Sequence, residues 1–165
     1  MEKIKVIRCG IIPYHKINDD HFIFLMGLKR NYKKYYGDFG GGIKKNEHYM
    51  NGLIRELEEE SNGIFGDEYL FVQRMLNDLN TREITYLTKS KTPAMYLEYL
   101  VYVDHDDYPR KYIEAGNNNE HLFLQWLNVV RDENGEFRFL GNTGQYIDGS
   151  LKPLMKDILE TLNTL

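Results

Sequence analysis

The sequence predicts a single α/β domain spanning residues 1–165, with a mixed β-sheet held between helices. Three observations point there: two neighbouring β-branched and aromatic runs near the N-terminus, an amphipathic helix directly after a glycine-rich turn, and a second amphipathic helix that closes the chain. At 165 residues and 42% hydrophobic content, the chain suffices for one packed core and is short for two.

Residues 4–13 (IKVIRCGIIP) and 21–30 (HFIFLMGLKR) read as adjacent strands, separated by a polar segment that includes INDD. In the second run Phe22, Phe24, Met26 and Leu28 share one face while Ile23 and Leu25 take the other, so the sheet must be covered on both sides. A loop rich in Tyr, Lys and Gly (NYKKYYGDFGGG) leads to a helix from about Glu47 to Ser61, with Asn46 suited to its N-cap and Met50, Leu53, Ile54 and Leu57 at helical spacing. Residues 63–80 carry little pattern. REITYLTKS and MYLEYLVYVD read as strands, the second lining one face with Met95, Leu97, Tyr99, Val101 and Val103. Residues 105–120 are polar and loop-like. LFLQWLNVV then gives a strand that turns at Asn134-Gly135 towards EFRFL, unless this region is a surface insertion. Leu151, Leu154, Met155, Ile158, Leu159 and Leu162 form the stripe of the closing helix, with Pro153 in its first turn.

A formal charge of −4 argues against a surface built throughout for nucleic acid, so any polyanion site must be local. Cys9 is the only cysteine, which excludes an internal disulfide and suits a reducing compartment. Neither a signal peptide nor a run of membrane-spanning length is visible, and the expected setting is the cytoplasm, away from membranes.

Glu56, Glu58, Glu59 and Glu60 crowd four carboxylates into five residues. The spacing puts Glu56, Glu59 and Glu60 on one helix face and turns Glu58 away. Like charges so placed cost roughly 0.2–0.5 kcal/mol per pair on an exposed helix, and the C-terminal half of a helix disfavours anions further. Arg55 can relieve part of the repulsion through Glu59, but one arginine cannot neutralise three acids. An all-oxygen set without His or Cys suits Mg²⁺ or Mn²⁺. A solvated acidic face is the alternative for any charge run.

With its surroundings the stretch resembles the box of the Nudix hydrolases, G-x5-E-x7-R-E-U-x-E-E-x-G-U, where U is a bulky apolar residue. Gly41, Glu47, Arg55, Glu56, Leu57, Glu59 and Glu60 fall on its positions in register. Asn62 and Gly63 depart from the last two; asparagine tolerates the left-handed conformation that ends a helix, and Ile64 follows as a substitute anchor. The resemblance implies a Nudix-type α/β/α sandwich and hydrolysis of a diphosphate linkage in a nucleoside diphosphate joined to another group. It implies that Glu56, Glu59, Glu60 and the carbonyl of Gly40 hold Mg²⁺ or Mn²⁺. Arg55 would orient the acids, Gly41, Glu47 and Leu57 would support the box, and Glu56 could instead be the general base. The family often takes a further acid from a loop before a late strand, where Glu120 stands.

Lys29, Arg30, Lys33 and Lys34, interleaved with Tyr32, Tyr35 and Tyr36, precede the glycines, and Lys44 and Lys45 follow them. Arg30, Lys33, Lys34 and Lys44 are candidates to hold extra phosphates, with a tyrosine stacking a base as a capped or 5′-phosphorylated RNA end would require. A solvated loop is the plainer reading. Diphosphoinositol polyphosphates, ADP-ribose and dinucleotides are alternative substrates, and a Nudix-fold binding module without catalysis is the alternative class. Trp126 is expected in the core, and His105, Asp106 and Asp107 in a polar turn rather than a second metal site.

Overall fold

A computed structural model describes residues 4–30, 34–116 and 120–165. Strands β1 (Lys5–Asn18) and β2 (His21–Lys29) form an antiparallel hairpin. They pair only around Tyr14–Asn18 and His21–Phe24, then separate. Into the gap runs a short bent strand: β3 (Tyr36–Gly37) pairs with β2, and β4 (Phe39–Gly42) pairs with β1. Helix α1 (Tyr49–Glu60) follows, then α2 (Glu68–Leu76), β5 (Arg82–Leu87), β6 (Ala94–Tyr102), α3 (Tyr108–Glu114), β7 (His121–Arg131), β8 (Phe137–Phe139) and α4 (Lys152–Thr161).

The sheet order is β5-β6-β1-β2-β7-β8, with β3 and β4 lying off that path. The pairing of β1 with β6 is parallel and the other strand pairs are antiparallel, so the sheet is mixed. One face carries Cys9, Ile11, Leu25, Phe39, Leu97, Tyr99, Val101 and Val103 against Leu53 and Leu57 of α1, Phe71, Val72 and Met75 of α2, and Tyr112 of α3. The other carries Ile12, Tyr14, Phe22, Phe24, Met26 and Leu100 against Leu154 and Ile158 of α4 and the following Leu162. This is the α/β/α arrangement anticipated from residues apolar on both strand faces.

Four local expectations need correction. The stretch 63–80 contains α2, started by Asp67, whose side chain accepts the Leu70 N–H at 2.9 Å. The segment 105–120 contains α3, with Asp107 capping it through the Arg110 N–H. Asn46 is not the cap of α1: its φ of +64° puts it in a left-handed turn, and His48 caps instead, accepting from the Met50 N–H at 3.2 Å. Gly40–Gly42 are not a turn but strand β4, paired as Gly40 with Gly10 and Gly41 with Cys9. A Cβ on Gly40 would lie 2.4 Å from the Gly10 Cα and 2.5 Å from the Cys9 carbonyl oxygen, so the close passage of the two strands demands glycine there.

Candidate active site

The end of the box settles the direction of α1. Asn62 has φ +53° and Gly63 φ +71°, so the helix leaves through two successive left-handed residues. The Asn62 amide also donates to the carbonyls of Tyr112 and Gly116, tying the end of α1 to α3, and Ile64 packs into the core beside it. Asparagine does here what a glycine would do for backbone freedom, and adds side-chain bonds that glycine lacks.

Arg55 is the hub of the box. Its Nε donates to Glu47 Oε2 at 2.9 Å, its Nη2 to Glu47 Oε1 and to the Gly42 carbonyl at 3.0 Å each, and its Nη1 to Glu56 Oε1 at 3.0 Å. The same Nη1 reaches Glu59 at 3.4 Å. One guanidinium thus clamps the start of the helix, its middle and the end of β4, using the donor fork that lysine does not possess. The Arg55 bonds, followed by the Lys44 backbone N–H, lower the Glu47 carboxyl to about 2.

Glu56 and Glu60 point to the sheet. The Glu56 carboxylate lies over Gly41, where a Cβ would stand 2.5 Å from Oε1 and 2.9 Å from Oε2. Burial, then the charge of Glu60, raise its pKa above the ordinary carboxylate value against the pull of Arg55. Glu60, at 2% exposure, accepts the Gly40 N–H on Oε2 at 2.8 Å, and Lys29 Nζ stands 3.5 Å from its Oε1. Glu59, by contrast, leaves half of its side chain in solvent, and Glu58 is exposed. Three acids were expected to converge; two do so on the sheet side, while Glu59 extends outward beside Arg55. Accordingly, among the described residues no three acidic, His or Cys side chains stand as a ready ligand set. Glu60 is turned to Gly40 and Lys29, and Glu56 to Arg55. The donor chemistry still fits a hard divalent cation, since Glu56, Glu59 and Glu60 offer carboxylate oxygens only.

Two residues join the site that sequence reasoning did not place there. Lys29, grouped above with the loop cations around the glycines, turns inward: burial works against its charge, but Glu60, then Asp38 and Asp148, outweigh that and raise its pKa. His121 is its partner across β2 and β7, and its Nε2 is 3.8 Å from Glu60 Oε2. Room for both comes from glycines. A Cβ on Gly27 would be 2.3 Å from the His121 Nδ1, and one on Gly37 would be 2.2 Å from the Lys29 Cε. A glycine in the middle of an otherwise apolar strand was the one available signal.

Glu120, offered as a further acid, is exposed at the entrance to β7, where its carbonyl accepts the Arg30 N–H at 2.9 Å. Arg30, Lys34 and Lys44 are exposed, and the Lys44 backbone N–H, not its ammonium, serves the box through Glu47. Lys33 and Tyr32 lie outside the described residues. Tyr36 donates to Gln125 Oε1 at 2.6 Å and packs beside the core, and Lys152 Nζ sits over the Tyr35 ring. Trp126 packs with His105 and Tyr108 at the core margin, its Nε1 donating to the Asp106 carbonyl. Asp106 pairs with Lys111 and Asp107 caps α3, a polar turn as anticipated.

A buried polar cluster lies on the opposite face of the sheet. Arg8 holds Asp38 through two bonds of 2.5 and 2.9 Å, and its Nη1 lies 3.4 Å from Glu98 Oε1. Burial opposes ionisation of Asp38, but Arg8 outweighs it and holds that carboxyl well below the usual range. Burial, then the Asp38 charge, push Glu98 well above its usual value.

No protein-family model matches the sequence, and no curated protein matches it. Solved structures do. A structure named as a Nudix hydrolase from Listeria monocytogenes is 14% identical with a TM-score of 0.54, over 97% of this chain and 96% of that one. A MutT/Nudix family protein from Enterococcus faecalis is 12% identical with a TM-score of 0.52, over 86% of this chain. A bifunctional NMN adenylyltransferase/ADP-ribose pyrophosphatase from Francisella tularensis, complexed with AMP and a manganese ion, is 16% identical with a TM-score of 0.55, over 98% of this chain. The matched region spans 49% of the Enterococcus chain and 43% of the Francisella chain. No helix among the described residues is long and apolar enough to cross a membrane. With its mixed sheet between helices, and with Gly41 on β4, Glu47 in the connection that follows and Arg55 to Glu60 on α1, the chain has the Nudix fold.

Proposed function

We propose that the chain is a Mg²⁺- or Mn²⁺-dependent hydrolase of diphosphate linkages in nucleoside diphosphates joined to another group. The observation that carries this reading is the Arg55 hub, which fastens Glu47, Glu56, Glu59 and the Gly42 carbonyl into one unit in the box order of a Nudix fold. Glu56, Glu59, Glu60 and the Gly40 carbonyl would hold the cation. When bound, such an ion neutralises phosphate oxygens and lowers the pKa of a water molecule for attack at phosphorus. Arg55 keeps the carboxylates in register, Glu47 anchors Arg55, and Gly41 leaves room for the Glu56 carboxylate. Glu56 would accept the proton of the attacking water, with Glu120 as the alternative base.

Arg30, Lys33, Lys34 and Lys44 would contact the rest of the substrate, with a capped or 5′-phosphorylated RNA end as one candidate. The activity named for the Francisella protein, ADP-ribose pyrophosphatase, and its complex with AMP and manganese support a nucleoside-diphosphate linkage as the target. The loop cations would suit the RNA end, and the expected setting remains the cytoplasm.

A product-resolved screen with Mg²⁺ and Mn²⁺ over capped RNA, dinucleoside polyphosphates, ADP-ribose, NADH, nucleoside triphosphates and diphosphoinositol phosphates identifies the substrate. On that substrate E60Q should lose metal-dependent turnover while keeping a cooperative melt. Equal rates for wild type and E60Q on every substrate turned over would sink the assignment, and no turnover of any of them would leave a binding module.

A further inference from the structure

Lys29 is the last residue of β2, and its side chain crosses over β3 at Gly37, the one residue type that leaves it a path. It arrives 3.5 Å from Glu60 Oε1, with only 14% of its side chain exposed against 3% for Glu60. The other Glu60 oxygen is held by the Gly40 N–H at 2.8 Å. Both oxygens of this carboxylate are therefore occupied from within the fold, one of them by a full positive charge in a place where water screens little.

We propose that Lys29 is a built-in counter-cation of Glu60 that competes with the divalent ion, so that Lys29 and Gly37 together set how tightly the site takes metal. The inference rests on the metal role of Glu60 proposed above. A divalent ion can reach Glu60 only by displacing the ammonium or by binding against its charge, and both raise the dissociation constant. Lys29 is thus a positioning residue that acts through Glu60. The direction of the effect separates this role from plain structural support. Losing a structural prop weakens metal binding, whereas losing a competitor strengthens it.

The test measures free Mn²⁺ by electron paramagnetic resonance during titration of the full chain, without substrate. K29M should bind Mn²⁺ about tenfold more tightly than wild type, the factor for roughly 1.4 kcal/mol of removed competition. In the E60Q background the same substitution should change affinity by less than about twofold, since Lys29 acts through the Glu60 carboxylate and changes at contacting residues do not add. Should K29M fail to fold, G37A supplies the same reading, because its added methyl pushes the flexible end of Lys29 aside. Unchanged or weaker Mn²⁺ binding in the folded variant overturns the competition while leaving the metal assignment standing. Wild type and variant both leaving millimolar Mn²⁺ free would remove the metal assignment and this inference together.

Discussion

Gly27, Gly37 and Gly41 owe their identity to side chains that reach them from other elements. Gly41 was readable, because the box spacing marks it, but the reason for it is the Glu56 carboxylate 2.5 Å from where a Cβ would stand. The Glu56 carboxylate is also clamped by Arg55 at 3.0 Å and cannot retreat freely. Gly41→Ala should therefore shift it and lower turnover about a hundredfold, the order expected for a misplacement of about 1 Å. Steady-state rates on the substrate found by the screen, beside a melting curve that stays near wild type, check this; wild-type turnover would show that Glu56 need not sit there. Gly27 and Gly37 were not readable in this way. Their neighbours His121 and Lys29 come from β7 and β2, and nothing in the residues flanking either glycine announces them.

Helix α1 shows how far an element can be read before its surroundings are known. Its stripe of Leu53 and Leu57 stands where 3.6-residue periodicity puts it, whereas of the carboxylate face Glu56 and Glu60 turn to the sheet and Glu59 extends into solvent. Its ends depend on other elements. Asn62 adopts the left-handed conformation and bonds to the Tyr112 and Gly116 carbonyls, so Asn62→Ala should destabilise the fold by about 1–2 kcal/mol through left-handed strain, with any lost bond adding to that. Asn62→Gly removes the strain and should cost less than Ala; urea unfolding of both variants measures the difference, and an equal cost would put the whole effect in the bonds. Helix α2 escaped notice because its nine residues expose Tyr69, Leu70 and Leu76, which blurs the apolar stripe. Its start is set by Asp67, and Asp67→Ala should lower stability by about 1 kcal/mol in the same assay.

Across the whole molecule, the Arg8, Asp38 and Glu98 cluster ties β1, the β3–β4 junction and β6 together beneath Gly10, where a Cβ would meet Asp38 Oδ2 at 2.0 Å and Glu98 Oε1 at 2.5 Å. The two acids pull stability in opposite directions with pH. Asp38 has a folded value below its unfolded 3.8, so its contribution is present above 3.8 and fades as pH falls through the folded value. Glu98 has a folded value above its unfolded 4.5, so its contribution is complete below 4.5 and is lost as pH rises through the folded value. Glu98→Gln should thus match wild type in acid and gain relative stability as pH rises above about 4.5, the unfolded value. Melting temperatures of both proteins from pH 4 to pH 8 decide it, and a constant offset would mean that Glu98 does not titrate in this window.

Most of the helix-and-strand order, the two-faced burial of β2, the hairpin of β7 and β8 and the register of the box on α1 were written in short-range pattern, because periodicity and spacing are properties of neighbouring residues. The pairing of Gly40–Gly42 as a strand, the inward turn of Lys29 and His121 onto Glu60, and the Arg8 to Glu98 contact across 90 residues belong to the tertiary structure. Those contacts join side chains from separate strands and a helix, and strand order, not local sequence, decides which of them meet.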